Sequence, residues 1–287
     1  MSRIASLCLL SLLLLAALLG ACGDDDSDSG ESGSAATAAE CSPGQLETVD
    51  EGTLTVGTDK PAFPPYFVAN DPTNGKGFES AVAYAVADEL GFGRNEVQWT
   101  VVPFNASYAP GPKDFDFDVN QISITPDRAQ QVDFSTPYYE ANQAIVALKG
   151  SDAARATSLE DLADARFGVQ IGTTSLDAVD EQISPNEDPR VYDNSNDVVS
   201  ALKQEQVDAV VVDVPTALYL TAVQVPEATV VGQFSAPGGD TWGALLEKDS
   251  PLTACVSQAI ERLRASGELA RIEQRWMSQA AGAPVLD

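Results

Sequence analysis

From Thr53 onwards, short apolar runs alternate with stretches in which apolar residues recur at every third or fourth position. The first such stretch carries Val82, Val86 and Leu90 on one face and stops at Gly91, which is typical of an amphipathic helix. Strands that alternate with helices predict an α/β fold, here with two α/β units along the chain. The predicted strands are Leu54–Asp59, Val97–Phe104, Asp114–Thr125, Gln143–Leu148, Phe167–Gly172 and Val207–Asp213.

Helix boundaries can also be read from the pattern. Thr125 is a good N-cap residue and Pro126 suits the first position of a helix, so we expect a helix to begin where the third strand ends. The stretch Pro251–Met277 predicts one or two amphipathic helices, with Gly267 between them.

The first 22 residues have the pattern of a secretory leader. Arg3 precedes an apolar run, Ile4–Leu19, which ends in the residues LGAC. This ending resembles a bacterial lipobox, which implies that 1–21 is a signal peptide and that Cys22 carries the lipid, palmitate included. An uncleaved anchor is the alternative, because the run approaches the ~18 residues of a membrane span. In both cases we expect the folded part to lie outside the cytoplasm.

The segment 22–40 has almost no bulky apolar residue and is rich in Asp, Ser and Gly. Such a composition cannot bury enough surface to offset the entropy of ordering, so we expect a disordered acidic tether after the lipidated cysteine.

The folded part retains two cysteines, Cys41 and Cys255. An even pair in an oxidising compartment predicts a disulfide. Two free thiols or a metal pair are the alternatives, but the chain has no histidine, which makes a zinc site a poor interpretation. We expect no metal and no cofactor.

The chain has a formal net charge of −27. This charge speaks against nucleic acid as a partner, and against an anionic membrane surface except through the N-terminal lipid.

Candidate binding residues cluster where predicted strands end. Ligands of open α/β sheets bind outside the carboxyl ends of the strands, near helix N-termini. These positions hold Arg128 behind Ser123, the pair Thr173 and Thr174, and Asp213. Gly172, just before the two threonines, permits a close approach to the backbone. A cation with hydroxyls on one side and an anion on the other suits a free α-amino acid, whose carboxylate and ammonium need opposite partners.

The order of these motifs resembles the amino-acid-binding proteins of ABC importers, the polar amino-acid group of extracellular solute-binding proteins. The resemblance covers about 46–280, and it is carried by GTD with FPPY, then GFE, SITPDR with VDFSTPYY, QIGTTS and VDAVVVD. It implies two α/β lobes that close like a hinged trap and are joined by two crossover strands. It also implies that the first lobe is discontinuous, 41–142 plus 237–287, with 143–236 as the second lobe.

By resemblance, the protein captures a free amino acid in the cleft and hands it to a membrane permease, with no chemical step, and we expect a monomer. Arg128 resembles the arginine that pairs with the ligand carboxylate, and Ser123 matches a hydroxyl ahead of it. Thr174 resembles the hydroxyl that the second lobe brings to the carboxylate, with Thr173 as its alternative.

The remaining ligand contacts are also implied by the resemblance. Asp213 matches the carboxylate that holds the α-ammonium, and Asn120 lies where a second ammonium contact is often found. Phe63 matches an aromatic ring stacked on the ligand, and Phe104 is the candidate for the opposite wall. Asp59 faces the ligand side chain or caps a turn.

Two alternatives on the same scaffold remain open. A ligand-sensing receptor domain would present its closed form to a signalling partner. A periplasmic dehydratase-type enzyme would need a positioned acid and base, and without histidine, a G-x-S-x-G elbow or a metal cluster its carboxylates would have to serve.

Overall fold

The computed structural model describes residues 41–236, 238–277 and 284–286. The predicted signal peptide, the lipidation site Cys22 and the acidic tether lie outside the described residues. Among the residues that are described, no helix is long and apolar enough to cross a membrane.

The strands and helices alternate along the chain as the hydrophobic pattern predicts, but the third predicted strand, Asp114–Thr125, is reduced to the two residues Phe117–Asp118. In chain order the strands are β1 Leu54–Thr58, β2 Val97–Val101, β3 Phe117–Asp118, β4 Asp133–Phe134, β5 Tyr139–Ala141, β6 Gln143–Leu148, β7 Phe167–Gln170, β8 Arg190–Tyr192, β9 Ala209–Asp213, β10 Ala228–Phe234, β11 Asp240–Trp242 and β12 Leu245–Leu246. The α-helices are α1 Phe78–Glu89, α2 Phe104–Ser107, α3 Pro126–Ala129, α4 Thr174–Ala178, α5 Ser195–Lys203, α6 Val214–Tyr219, α7 Thr253–Ala265 and α8 Glu268–Met277.

The first sheet has the order β2-β1-β3-β12-β4, in which β1 runs parallel to both β2 and β3 and β12 runs antiparallel to its neighbours. Helices α1, α7 and α8 cover one face, and Leu54 and Val56 of β1 belong to the same apolar core as Phe78 of α1 and Val256 of α7. The predicted C-terminal helices therefore return to the sheet that the chain builds first.

The second sheet has the order β10-β6-β9-β7-β8. Its central strands are apolar on both faces, because alternate residues belong to different cores: Ile145 and Val211 to one, Val146 and Val210 to the other. Side chains of a strand alternate between its two faces, so a strand covered on both sides needs an unbroken apolar run. This is why VDAVVVD could be recognised as a buried strand.

Two antiparallel strands, β5 and β11, connect the sheets. β5 leads into β6 of the second sheet, and β11 leads back to β12 of the first. Trp242 of β11 is wholly buried, and its ring lies 4.7 Å from that of Tyr139 on β5, measured between centroids. Two sheets joined by two crossover strands are the architecture that the resemblance implies.

The sequence pattern misplaces the region around Phe104, which lies in α2 rather than in a strand. β2 ends at Val101, and α2 starts at Phe104 after Pro103. The turn is held by Asp59, because its Oδ2 accepts a hydrogen bond from the Phe104 N–H at 3.1 Å. Proline lacks the N–H that a continuing ladder would use, which favours this early end.

The end of the described chain packs on the second sheet. Leu286 belongs to the apolar core of that sheet, and its N–H donates to the Gln233 carbonyl of β10 at 2.9 Å. The predicted first lobe includes these residues. Residues 284–286 contact the second sheet instead, because Gly232 of β10 leaves space for Leu286. A Cβ added at Gly232 would lie 2.4 Å from Leu286 Cγ.

Cys41 and Cys255 form a disulfide, as predicted. Both cysteines are buried in the apolar core of the first sheet, and Cys255 lies in α7. The bond therefore joins the start of the described chain to a helix near its end, across a sequence separation of 214 residues.

Asp118 is an unusual residue in this core. Its side chain is wholly buried, and neither carboxylate oxygen has a hydrogen-bond partner in the part of the chain that the structure describes. Burial raises the pKa of Asp118 well above its ordinary value, and the charges of Glu79 and Asp59 raise this pKa further. The carboxylate therefore destabilises the fold when it is ionised.

We expect Asp118→Val to raise the free energy of unfolding at pH 7.5 by about 1–3 kcal/mol, since a buried polar group without a partner is replaced by an apolar one of similar size. Wild-type Asp118 binds its proton more tightly when folded than when unfolded. The loss of stability caused by ionisation of Asp118 is therefore absent below the pKa of the unfolded state, and it grows as the pH rises towards the pKa of the folded state. Urea unfolding at pH 4.5 and 7.5 tests this. An equal gain in the free energy of unfolding at both pH values contradicts the prediction. Asp114→Val, at an exposed position, is the matched control.

Candidate functional site

A cavity of about 690 Å³ lies between the two sheets, where several strands hand over to helices. This volume is within the roughly 300–1,000 Å³ range of small-molecule sites. The structure brings all of the predicted ligand-binding residues to its walls: Asp59, Phe63, Phe104, Asn120, Ser123, Arg128, Thr173, Thr174 and Asp213.

Arg128 is held at the cavity by local structure and by both lobes. The Thr125 side chain accepts a hydrogen bond from the Arg128 N–H and caps α3, as the sequence predicts. The guanidinium donates through Nη1 to the Ser123 carbonyl and through Nη2 to the Gly172 carbonyl, both at 2.8 Å. A guanidinium has five N–H donors, so these two bonds fix its orientation and leave others for a ligand carboxylate.

Aromatic rings enclose the same guanidinium. The carbon Cζ of Arg128 lies 5.5 Å from the ring centroid of Phe104 and 4.8 Å from that of Tyr108. Both distances allow cation–π attraction, which strengthens as water is removed. Burial lowers the pKa of Arg128, and the nearby negative charges, Asp240 and Asp213 among them, oppose this shift.

Behind the predicted carboxylate, Asp213, which lines the cavity, lies a second carboxylate, Asp240, which is buried. Asp213 ends β9 and Asp240 begins β11. Nε2 of Gln143 donates to Oδ1 of Asp213 at 2.9 Å and to Oδ2 of Asp240 at 2.7 Å. Burial raises the pKa of Asp213 well above its ordinary value, and the charge of Asp240 is the next largest cause.

The hydroxyl groups connect the cationic and anionic sides. Ser123 Oγ lies 3.3 Å from Thr174 Oγ1, which donates to Asp240 Oδ2 at 3.0 Å. Thr173 instead caps α4, because its Oγ1 accepts from the Leu176 N–H and donates to the Gln170 carbonyl. Of the two candidate threonines, Thr174 is therefore the one whose hydroxyl meets the first lobe.

The other predicted residues occupy the outer walls. Phe63 and Tyr219 face each other across the cleft with ring centroids 6.2 Å apart. Asp59 acts as a turn cap, since it accepts from the N–H groups of Lys60 and Phe104. Asn120 is 9% exposed, and its Nδ2 has no hydrogen-bond partner among the described residues.

Sequence reasoning missed Gln143, Asp240 and Tyr108. Gln143 and Asp240 are polar residues on short strands beside the hinge, and both are buried, which no local pattern reveals. Gly172, in contrast, was recognised as a site of close approach. It has a φ of 71°, and an added Cβ would lie 2.4 Å from the Tyr108 hydroxyl.

Within the described ranges, no group of three or more His, Cys, Asp or Glu side chains is placed to hold a metal ion. The cavity wall places the buried cation Arg128 and the carboxylate Asp213 in one space, with Asp240 buried behind Asp213.

Comparisons with known proteins agree with this geometry. The chain is 28% identical over 229 residues to the arginine-binding extracellular protein ArtP of Bacillus subtilis (strain 168), covering 78% of this chain and 86% of that protein. It is 28% identical over 236 residues to the L-cystine-binding protein TcyJ of Escherichia coli (strain K12), with coverages of 81% and 86%. Both relatives are named as binding proteins rather than enzymes.

Among solved structures, an ancestral arginine-binding protein bound to glutamine matches with a TM-score of 0.67 and 33% identity, covering 79% of this chain and 98% of that one. The family model of the bacterial extracellular solute-binding proteins, family 3, matches residues 54–279. The chain belongs to this family of extracellular solute-binding proteins.

Proposed function

We propose that this protein is the extracytoplasmic substrate-binding component of an ABC transporter, which binds a free amino acid between its lobes and delivers it to a membrane permease. The relatives above are named for binding arginine and L-cystine, and others are named a glutamate-binding protein and a probable histidine-binding protein. Membership of an extracellular family puts the folded part of the chain outside the cytoplasm.

One observation carries the proposal: the enclosed cation Arg128 and the carboxylate Asp213 line the same cavity from different lobes. An α-amino acid has a carboxylate and an ammonium on neighbouring atoms, so it can contact both at once. Such a ligand favours the closed arrangement by as much as its affinity for the closed form exceeds that for the open form.

The same proposal includes the anchor and the lobes. Cys22 carries a lipid that holds the protein at the membrane surface, and 22–40 is the tether. The first lobe comprises 41–142 and the chain after 237, except that 284–286 pack on the second sheet, and 143–236 forms the second lobe. Each protein molecule acts as a monomer.

A thermal-shift panel of the twenty amino acids and L-cystine tests the binding function. An amino acid at one hundred times its Kd should add about 2.7 kcal/mol to the free energy of unfolding. We expect one class of side chain to raise the melting temperature, and the α-amide and N-acetyl derivatives of the same amino acid to lose most of the effect. No shift with any amino acid, or an equal shift with both derivatives, contradicts the proposal.

A further inference from the structure

The two carboxylates beside the hinge share a hydrogen-bond donor. Asp240 is 1% exposed and Gln143 is wholly buried, whereas Asp213 is partly exposed and lines the cavity. Because Nε2 of Gln143 lies within 2.9 Å of an oxygen from each acid, the two carboxylates lie close together. Gln143 is itself fixed, since Ser175 Oγ donates to its Oε1 at 2.6 Å.

The hydrogen bonds around this pair do not balance two negative charges. Asp240 Oδ2 accepts from Gln143 and Thr174, but its Oδ1 has no partner among the described residues. Arg128 makes no ion pair with either acid within the described ranges, because the bonds it forms go to carbonyl groups. Two neighbouring carboxylates with so few donors are costly to ionise together.

We propose that Asp240 is a positioning residue of the ammonium subsite, and that the Asp213–Asp240 pair holds one proton that leaves when the ligand ammonium binds. Asp240 acts through its hydrogen bonds to Gln143 and Thr174 and through its charge on Asp213. The inference rests on the proposed function. The ligand adds one positive charge beside the pair, and the displaced proton passes to the solvent.

Other charged and titratable groups surround Asp213 and also affect how proton release depends on pH. Glu79 and Arg128 act on Asp213 from the first lobe, and Tyr66 and Tyr139 lie near enough to feel its charge. Burial raises the pKa of Glu79 to about 7, so Glu79 also titrates in the physiological range. A pH profile alone is therefore not enough, and the contribution of each acid has to be separated by substitution.

The release of a proton makes the ligand affinity depend on pH. The pKa of Asp213 is raised in the ligand-free protein, and a bound ammonium favours the ionised form. Affinity should therefore increase as the pH rises towards the raised pKa, by up to about tenfold per pH unit for one proton. Above that pKa the affinity should become constant.

Titration calorimetry on the full chain tests the inference, with each of the twenty amino acids and L-cystine as ligand. The dependence of the binding heat on the ionisation enthalpy of the buffer gives the number of protons released. For the wild type we expect this number to approach one at the acid end of a series from pH 4.5 to 8. For Asp240→Asn, which lowers the pKa of Asp213, we expect the release to shift to lower pH and to fall by at least half at a given pH.

Glu79→Gln is the comparison variant: the Glu79 charge raises the pKa of Asp213 less than the Asp240 charge does, so its proton release should lie closer to that of the wild type than the release of Asp240→Asn does. An amino acid that binds the wild type without proton release at any pH overturns the inference and leaves the proposed function intact. The same is true if Asp240→Asn, which keeps an acceptor for Gln143, matches the wild-type profile. If no amino acid binds the wild type, the proposed function fails, and the inference fails with it.

Discussion

Replacing Arg128 with alanine should lower the affinity for the amino-acid ligand by roughly 30- to 5,000-fold, since truncating one partner of an enclosed charge pair costs about 2–5 kcal/mol. The structure accounts for a large effect. Arg128 is 8% exposed, and two carbonyls and two aromatic rings fix the position of its guanidinium. A ligand carboxylate would therefore meet donors that need no further ordering. Calorimetry at a fixed pH measures the loss.

Arg128→Ala also removes a hydrogen bond to Gly172, so its ligand-free stability must be measured by urea unfolding. Arg128→Lys serves as a second variant, because it keeps the charge but cannot bond both carbonyls in the fork geometry of a guanidinium. We expect it to bind at least about tenfold more weakly than the wild type. Arg94→Ala is the matched control: Arg94 also stacks on an aromatic ring, that of Tyr84, but does not line the cavity. Wild-type affinity in a folded Arg128→Ala protein contradicts the carboxylate clamp.

The parts of the site that the sequence predicted correctly are those determined by local chemistry. Thr125 caps α3 because its side chain accepts from an N–H three residues later, and this holds Arg128 in the first turn of α3, at the wall of the cavity. Gly172 is needed because its positive φ and the nearby Tyr108 exclude a side chain. Such features depend on a few neighbouring residues, so they can be read without knowledge of the fold.

The parts that the sequence could not predict depend on contacts between distant residues. Gln143 and Asp240 are 97 positions apart, and they meet only because β5 and β11 pair at the hinge. Leu286 likewise joins the second sheet, beside a bridge between Val285 and Gln233, although the helices before it pack on the first. Each of these contacts involves a single residue of its strand or terminal segment, so it leaves no periodic pattern in the sequence.

The two acids at the hinge change how ligand selection should be understood. A single carboxylate would attract any cation that enters the cleft. A pair that retains a proton instead requires a ligand that can displace this proton. A free amino acid meets this condition, because Arg128 holds its carboxylate while its ammonium approaches the pair. Binding and lobe closure are then connected through residues of the hinge itself, since Asp240 belongs to a crossover strand and contacts Thr174 and Gln143 of the second lobe.

Removing the disulfide should have the largest effect on stability without changing the site. The bond closes a segment of more than 200 residues, and the chain-entropy relation gives about 5 kcal/mol for a loop of this length, of which native disulfides deliver roughly 2–5 kcal/mol. We therefore expect the double variant Cys41→Ala, Cys255→Ala to unfold at a temperature lower by roughly 5–20 °C, at about 2–4 °C per kcal/mol. Calorimetric unfolding measures this shift.

The control for this prediction is reduction of the wild type, which should produce a similar loss, whereas reductant should not affect the double variant. Both cysteines lie in the core of the first sheet, and neither lines the cavity. Ligand affinity at a temperature where the variant is folded should therefore stay within about twofold of the wild type, because additivity holds for sites without shared contacts. A variant that keeps its melting temperature would contradict the predicted stabilisation. A variant that stays folded but loses affinity would show that the bond also acts on the cleft.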